Sequence, residues 1–449
     1  MFLFHSVILH YILYSSMSST SSLYQIYLNH PTICTDTRNI TEGCIFFALR
    51  GDRFDANTFA VTALEKGAAY AVIDNEDYKA SDRCILVPDV LKTLQDLAVH
   101  HRNQLTIPVI GLTGTNGKTT TKELINAVLS EKYNTFATKG NLNNHIGVPL
   151  SILSITPETE IAVIEMGANH QKEIGFLSSI AQPTHGLITN VGMAHLEGFG
   201  GFEGVKKGKA ELYAYLKEHN AVVFIHHDNP YLLEMAAAAG INNAVWYGTD
   251  PTDFISGKLE KADPMLEVSW TSQSETYHAS INLTGAYNFE NVLAAISIAS
   301  FFEVDPTMIA NGLAGYMPKN NRSQIIKTDH NTVVCDFYNA NPSSMSAALK
   351  NIGQLSASHK TLIIGDMFEL GDEAEVQHDR IAQEAAALNP DTLILIGKYF
   401  YAHKDRYDGV FFNSPAEAEE YIRKNPVRNN LVLLKGSRGM ALEQLLPLL

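Results

Sequence analysis

The chain has 449 residues, 45% of them hydrophobic and 18% charged, with a formal net charge of −15. These proportions describe an ordinary globular protein with chain enough for about two to four domains. The acidic balance excludes non-specific binding to nucleic acid or to an anionic membrane surface, so any anionic ligand must be held by local basic groups and helix ends.

Residues 1–16 are apolar and uncharged. They lack the positive start of a signal peptide and are too short to span a bilayer. Met17 follows, so an upstream start codon chosen in error is the expected explanation, with a cryptic membrane anchor as the alternative. No later stretch is long and apolar enough to cross a membrane, and a cytoplasmic location is expected. Cys34, Cys44, Cys84 and Cys335 are scattered without metal-ligand spacing, which reads as free thiols in a reducing compartment.

Residues 17–104 form the first expected domain. Short strands at Cys44–Leu49 and Ala69–Ile73 flank an Ala-rich helix near 57–67, and Val90–His101 reads as a helix leading onward. The second domain, 105–317, opens on Ile107-Pro-Val-Ile110, a short apolar strand. The turn Gly111-Leu-Thr-Gly-Thr-Asn-Gly-Lys-Thr-Thr-Thr121 follows, and Lys122–Leu129 then carries apolar residues at helical spacing. A glycine-rich turn between strand and helix aims backbone N–H groups and the positive helix end at an anion. Lys118 would reach the outer phosphates of a nucleotide, and the Thr119 hydroxyl would ligate Mg²⁺. The spacing is not that of the standard phosphate loop, since Leu112 stands where its first glycine belongs.

Downstream, strands alternate with helices, which predicts a parallel sheet covered on both faces. Glu165 ends the apolar run Ile161–Glu165, where a metal-organising acid is expected; a solvent-facing carboxylate is the alternative. His195 follows the run His185–Val191 and reads as a metal ligand or a structural hydrogen-bonder. The basic run Val205-Lys-Lys-Gly-Lys209 is either a solvated helix face or the source of one lysine for the metal site. Crowded positive charge would lower that lysine's pKa, and the neutral amine would capture carbon dioxide as an oxygen-donating carbamate. Asn288 and Asn291 lie three apart at the start of a helix, and paired amides suit the edge of a purine.

The third domain, 318–449, carries the strands Thr332–Asp336, Thr361–Gly365, Thr392–Gly397 and Leu431–Gly436. Ending in Gly or Asp before helices, they predict a second open, Rossmann-like α/β sheet with ligands at the carboxyl ends of its strands. Tyr338-Asn-Ala-Asn-Pro342 is a polar loop directly after the first of them.

Taken together, these residues resemble the ATP-dependent Mur ligases of peptidoglycan synthesis, over essentially all of 17–449. The resemblance rests on Asp36-Thr-Arg38 with Phe46-Phe-Ala-Leu49, Gly114-Thr-Asn-Gly-Lys-Thr119, Asn141-Leu-Asn-Asn-His-Ile-Gly-Val-Pro149 and Glu165-Met-Gly-Ala168. It extends through Ala194-His-Leu-Glu-Gly-Phe-Gly200, Tyr338-Asn-Ala-Asn-Pro-Ser-Ser-Met345, Gly365-Asp-Met-Phe-Glu-Leu-Gly371 and Lys435-Gly-Ser-Arg438. Tyr338-Asn-Ala-Asn-Pro342 together with Gly365-Asp-Met-Phe-Glu-Leu-Gly371 points to the family members that add a dipeptide. The resemblance implies three α/β domains: a small mixed one for the UDP-muramoyl substrate, a central P-loop ATPase-like parallel sheet, and a C-terminal one for the acceptor.

It further implies that Gly114, Thr115, Asn116, Gly117, Lys118, Thr119 and Thr120 hold the phosphates of ATP. Thr119 and Glu165 would hold one Mg²⁺, and His195 with a carbamylated Lys209 a second. Lys118, Lys209, His195 and Glu165 would then form the catalytic centre. Asn288 and Asn291 match the adenine-contacting helix; Arg322 and Asp336 match nucleotide contacts from the third domain. Thr37, Arg38, Asn143 and Asn144 match substrate contacts, and Asn339 and Asn341 flank the acceptor site. The implied partners are UDP-N-acetylmuramoyl-tripeptide and D-alanyl-D-alanine, with no nucleic acid and no stable membrane association, in a monomer. Two departures stand out. Tyr287 occupies a place usually held by histidine, and Asn321 replaces the glycine usual before the arginine. The rival expectations are a Mur-type or folylpolyglutamate-type ligase of other specificity, and a nucleotide-switched binding protein.

Overall fold

The computed structural model of the chain describes residues 20–272 and 274–449. The readings made for residues 1–16, and for a start at Met17, lie outside them. The chain divides into two compact units. One holds the described residues up to Gly111, with Asn134–Gly167 and Gly175–Thr184; the other holds Leu112–Tyr133, Ala168–Ile174 and His185–Leu449. Three α/β sheets of four, nine and six strands organise them, with one two-stranded ribbon. No helix among the described residues is long and apolar enough to cross a membrane.

In the first unit the strands Ile33–Cys34, Ile45–Phe47, Tyr70–Ile73 and Cys84–Leu86 lie side by side, all parallel. Ile45, Phe46 and Phe47 are all buried, and Phe46 packs with Ala60, Ala63 and Leu64 of the helix Ala60–Glu65. That uninterrupted apolar run is what a parallel strand covered on both faces requires. The helix Val90–Arg102 begins at Asp89, whose carboxylate accepts from Lys92 N at 2.8 Å. It ends in His100, His101 and Arg102, where the helix dipole favours positive charge. Arg102 Nε and Nη2 donate to the carbonyls of Ala181 and Gln182 at 2.9 and 2.8 Å. Thr135–Ala137 pairs in parallel with Ile161–Glu165, which ends at the expected acid.

In the second unit, the parallel strands His185–Ile188, Val222–His226 and Ala244–Gly248 continue into Ile255–Ala262. An antiparallel meander then extends the sheet through Leu266–Ser272 and Glu275–Ile281. Our reading of the sequence, searching for strand–helix alternation, passed over this meander. The helix Lys118–Leu129 packs against Asn288–Phe301 and Pro306–Gly315. Gly312 permits that approach, since a Cβ there would meet Ala127 O and Val128 Cα at 2.9 Å.

The six-stranded sheet runs Gln324–Lys327, Thr332–Asp336, Leu431–Lys435, Lys360–Gly365, Thr392–Ile396, Val410–Phe412. Only its first pair is antiparallel. Apolar layers cover both faces, one holding Met345, Leu349 and Ile381, the other Ile422, Leu442 and Leu445. In register, Asp336 stands beside Lys435, so the carboxyl ends of these strands bring charged groups together.

Candidate active site

The strand Val109–Thr113 delivers the phosphate loop, and the helix Lys118–Leu129 begins directly after it. Gly114 has φ 150°, and a Cβ there would lie 2.0 Å from Thr189 Oγ1. Gly117 sits in the left-handed region at φ 77°, and its Cβ would lie 2.5 Å from Asn291 Oδ1. Two glycines are thus demanded by space as well as by conformation. The loop between them is pinned from the far side. Asn116 N donates to Asn190 Oδ1 at 2.9 Å, Thr189 Oγ1 donates to Asn116 O at 2.7 Å, and Thr115 Oγ1 accepts from Gly192 N at 2.9 Å. The Lys118 ammonium bonds the carbonyls of Gly114 and Thr115 at 2.8 and 3.0 Å. Thr119 and Thr120 are buried in the first turn of the helix. Such a hydrogen-bonded glycine turn at a helix start is suited to hold an anion.

Asn288 and Asn291 open the next helix, as expected, but their amides are engaged within the protein. Asn291 Oδ1 accepts from Thr121 Oγ1 at 2.9 Å, Asn291 Nδ2 donates to Asn288 Oδ1 at 2.9 Å, and Asn288 Nδ2 donates to Thr284 O at 2.8 Å. Both side chains are buried. Here they tie the phosphate-loop helix to its neighbour.

The basic run lies on the helix Phe202–Glu218, and it is not a solvated face. Lys206 bonds Glu234 at 2.7 Å and Lys209 is 1% exposed, while Lys207 alone faces solvent. Gly208 leaves room for the Phe199 ring, which lies 5.2 Å from the Lys209 ammonium. Burial, helped by the positive charge of Lys118, lowers the Lys209 pKa to about 7. That corrects the cause expected from sequence, since removal from water outweighs crowding by neighbouring lysines. A neutral amine is thus available near physiological pH. The site therefore fits a carbamate, an oxygen donor for a hard cation.

His195, at the start of a short helix, adopts φ 51° and hydrogen-bonds through Nδ1 to the Glu369 carboxylate. Burial, Lys118 and Lys209 push its pKa down while Glu369 pushes it up, with a net lowering. Among the described residues no three His, Cys, Asp or Glu side chains gather into a metal cage. A nucleotide-bound Mg²⁺ does not need one, because phosphates and waters supply much of its shell.

The third sheet adds three features. Asn341 caps the helix Pro342–Gln354 through Ser344 N, and its Nδ2 donates to Asn116 Oδ1 at 2.8 Å. Asn116 Nδ2 donates to Ser343 Oγ at 3.1 Å, and Ser343 Oγ to Asn341 Oδ1 at 2.9 Å, closing a ring. Asp336 accepts from Lys435 Nζ at 2.7 Å and from Ser323 N at 3.3 Å. Finally, Arg322 stacks 3.7 Å from the Tyr338 ring, with its Nε buried and without a hydrogen-bond partner among the described residues. Such an orphan donor is what an arriving phosphate would satisfy. Asn339 is exposed.

In the first unit, Asn143 Nδ2 donates to Glu165 Oε1 at 2.8 Å, and a Cβ on Gly167 would collide with Asn143. Asn144 Oδ1 accepts from Gly147 N at 2.8 Å. Arg38 folds onto Asp36 through Nε and Nη2, and Thr37 O accepts from Lys66 at 2.8 Å, both in an exposed loop.

Comparison with known proteins agrees with this geometry. Residues 112–299 match the Mur ligase middle domain, and 321–438 match the Mur ligase glutamate ligase domain. The chain is 35% identical to the UDP-N-acetylmuramoyl-tripeptide–D-alanyl-D-alanine ligase of Bacillus subtilis, over 92% of each chain. The chain belongs to the Mur ligase family. A crystal structure of MurF from Acinetobacter baumannii matches this Mur ligase with TM-score 0.82 and 30% identity, covering 93% of this chain and 92% of that one. The Thermotoga maritima MurF ligase, solved in complex with ADP, matches with TM-score 0.80 and 26% identity, covering 93% and 96%. Sequence reasoning assigned this Mur ligase no role for Thr189, Asn190, Ser343, Glu369 or Lys435. Thr189 and Asn190 were findable, since they follow directly on the strand His185–Ile188. Glu369 lies within the Gly365–Gly371 motif, but nothing local pairs it with His195.

Proposed function

We propose that this chain is an ATP-dependent ligase that joins D-alanyl-D-alanine to UDP-N-acetylmuramoyl-tripeptide, giving the UDP-muramoyl-pentapeptide, ADP and phosphate. The observation that carries the reading is the ring of Asn116, Asn341 and Ser343. It joins the phosphate loop to the opening helix of the domain matched as glutamate ligase, which supports a reading in which nucleotide and acceptor meet at one place.

A carboxylate is a poor electrophile, and it must approach an anionic nucleotide. In this reading the tripeptide carboxylate attacks the γ-phosphorus, ADP leaves, and an acyl phosphate forms. The dipeptide amine then attacks the acyl carbon and gives up a proton, and phosphate leaves from the tetrahedral intermediate. Lys118 and Arg322 offset the charge gathered on the phosphates, and the glycine cradle fixes their position before reaction. Thr119, Glu165, His195 and Lys209 as its carbamate would hold Mg²⁺, which supplies further neutralisation when bound. Thr37, Arg38, Asn143 and Asn144 serve the tripeptide, and Asn339 and Asn341 the dipeptide. The three domains, 17–104, 105–317 and 318–449, each deliver one reactant, and closure keeps water from the acyl phosphate.

The test is phosphate release measured with each substrate withheld in turn. Release requiring both tripeptide and dipeptide is expected; ATP hydrolysis without them defeats the reading. Lys209→Ala should abolish most activity, with partial recovery on adding a short carboxylic acid.

A further inference from the structure

The segment Gly365–Gly371 contributes to the family resemblance, yet no reactant contact has been assigned to it. Its base is fully bonded. Met367 N donates to His378 Nε2 at 2.9 Å, Phe368 N donates to Ser437 Oγ at 3.0 Å, and the Asp366 carboxylate accepts from Tyr399 N and Phe400 N at 3.1 Å each. At its tip Glu369 adopts φ 62°, and its carboxylate meets His195, itself at φ 51°. Gly371 lies against Glu197, two residues beyond His195. Left-handed backbone costs a non-glycine residue about 1–2 kcal/mol. An exposed ion pair returns only about 0–1 kcal/mol. Stability therefore does not account for two strained residues meeting through their side chains; strain of this kind points to function.

We propose that Glu369 is a positioning residue for His195. A carboxylate can only accept, so Nδ1 carries the ring proton and Nε2 keeps the lone pair, ready for a cation. The carboxylate that fixes the imidazole comes from the acceptor domain, so the central site is complete only with that domain seated. This inference rests on the proposed reading of His195 as a metal ligand.

The test begins with metal-free protein carrying ¹⁵N-histidine, in which the His195 signals are assigned by their loss in His195→Ala. The wild type should show Nδ1 protonated and Nε2 bare; Glu369→Ala should lose that preference, and Glu369→Gln, which keeps an acceptor oxygen, should restore most of it. In the full chain with ADP, Mn²⁺ titrated by EPR should bind about tenfold more weakly to Glu369→Ala. Under turnover that variant should lose kcat while KM for ATP stays within about twofold. An unchanged tautomer in Glu369→Ala overturns the proposal, whatever the activity. If His195→Ala binds Mn²⁺ as the wild type does, the ligand reading of His195 falls instead. If His195→Ala weakens Mn²⁺ and Glu369→Ala does not, the positioning role alone falls.

Discussion

Gly117 is tightly constrained in the phosphate loop, because positive φ and the Asn291 side chain both exclude a Cβ. Gly117→Ala should therefore lower ADP affinity at least about tenfold, read by calorimetry, while the circular dichroism spectrum stays native. At this scale sequence reading located residues better than it described their contacts. The loop was legible because glycine spacing, an apolar strand and a helical period agree. The amides of Asn288 and Asn291 were placed on the correct helix, yet Asn291 is engaged by Thr121, 170 positions away, which no local pattern links to it. Asn321 shows the reverse. It replaces a glycine, and it adopts φ 56°, a conformation asparagine tolerates better than most residues.

Among the elements, the helix Ala374–Ala387 supports the Gly365–Gly371 segment through His378. That ring is fully buried: Nδ1 donates to Ala374 O at 2.6 Å, while Nε2 accepts from Met367 N. Burial lowers its pKa to about 4. Unfolded, the imidazole takes up its proton near pH 6.5. Between about 6.5 and 4 the unfolded chain therefore binds more protons, and stability falls as pH falls through that window. His378→Gln should flatten this acid limb by on the order of 2–3 kcal/mol, measured by urea unfolding at pH 4.5 and 7. An acid limb equal to the wild type would contradict the assignment. The meander Ile255–Ser272 with Glu275–Ile281 was partly legible, since Leu266, Val268 and Trp270 alternate inward along one strand. The search for parallel alternation obscured that period of two. In the third sheet the same search succeeded, because its buried strands are continuous apolar runs.

For the whole molecule, the proposed reaction requires nucleotide and acceptor sites to communicate. The Asn116–Asn341–Ser343 ring provides a physical link, and Gly192 leaves space for it, since a Cβ there would lie 2.6 Å from Ser343 Oγ. Removing one neutral hydrogen-bonding group from such a ring costs about 1 kcal/mol. Ser343→Ala should thus reduce about fivefold the gain in dipeptide affinity produced by bound nucleotide, measured by calorimetry with and without ADP. An unchanged gain would show that the two sites are coupled by another route. This level was the least legible in the sequence, because Asn116 and Ser343 are 227 positions apart and neither belongs to a periodic pattern.

In the proposed reaction an acyl phosphate links ATP to the new amide, and isotope transfer tests that directly. With ¹⁸O in the terminal carboxylate of the tripeptide, each turnover should place one ¹⁸O in the released phosphate, seen as a shifted ³¹P resonance growing in step with product. Phosphate free of the label, or labelled phosphate appearing without D-alanyl-D-alanine at the same rate, would contradict it.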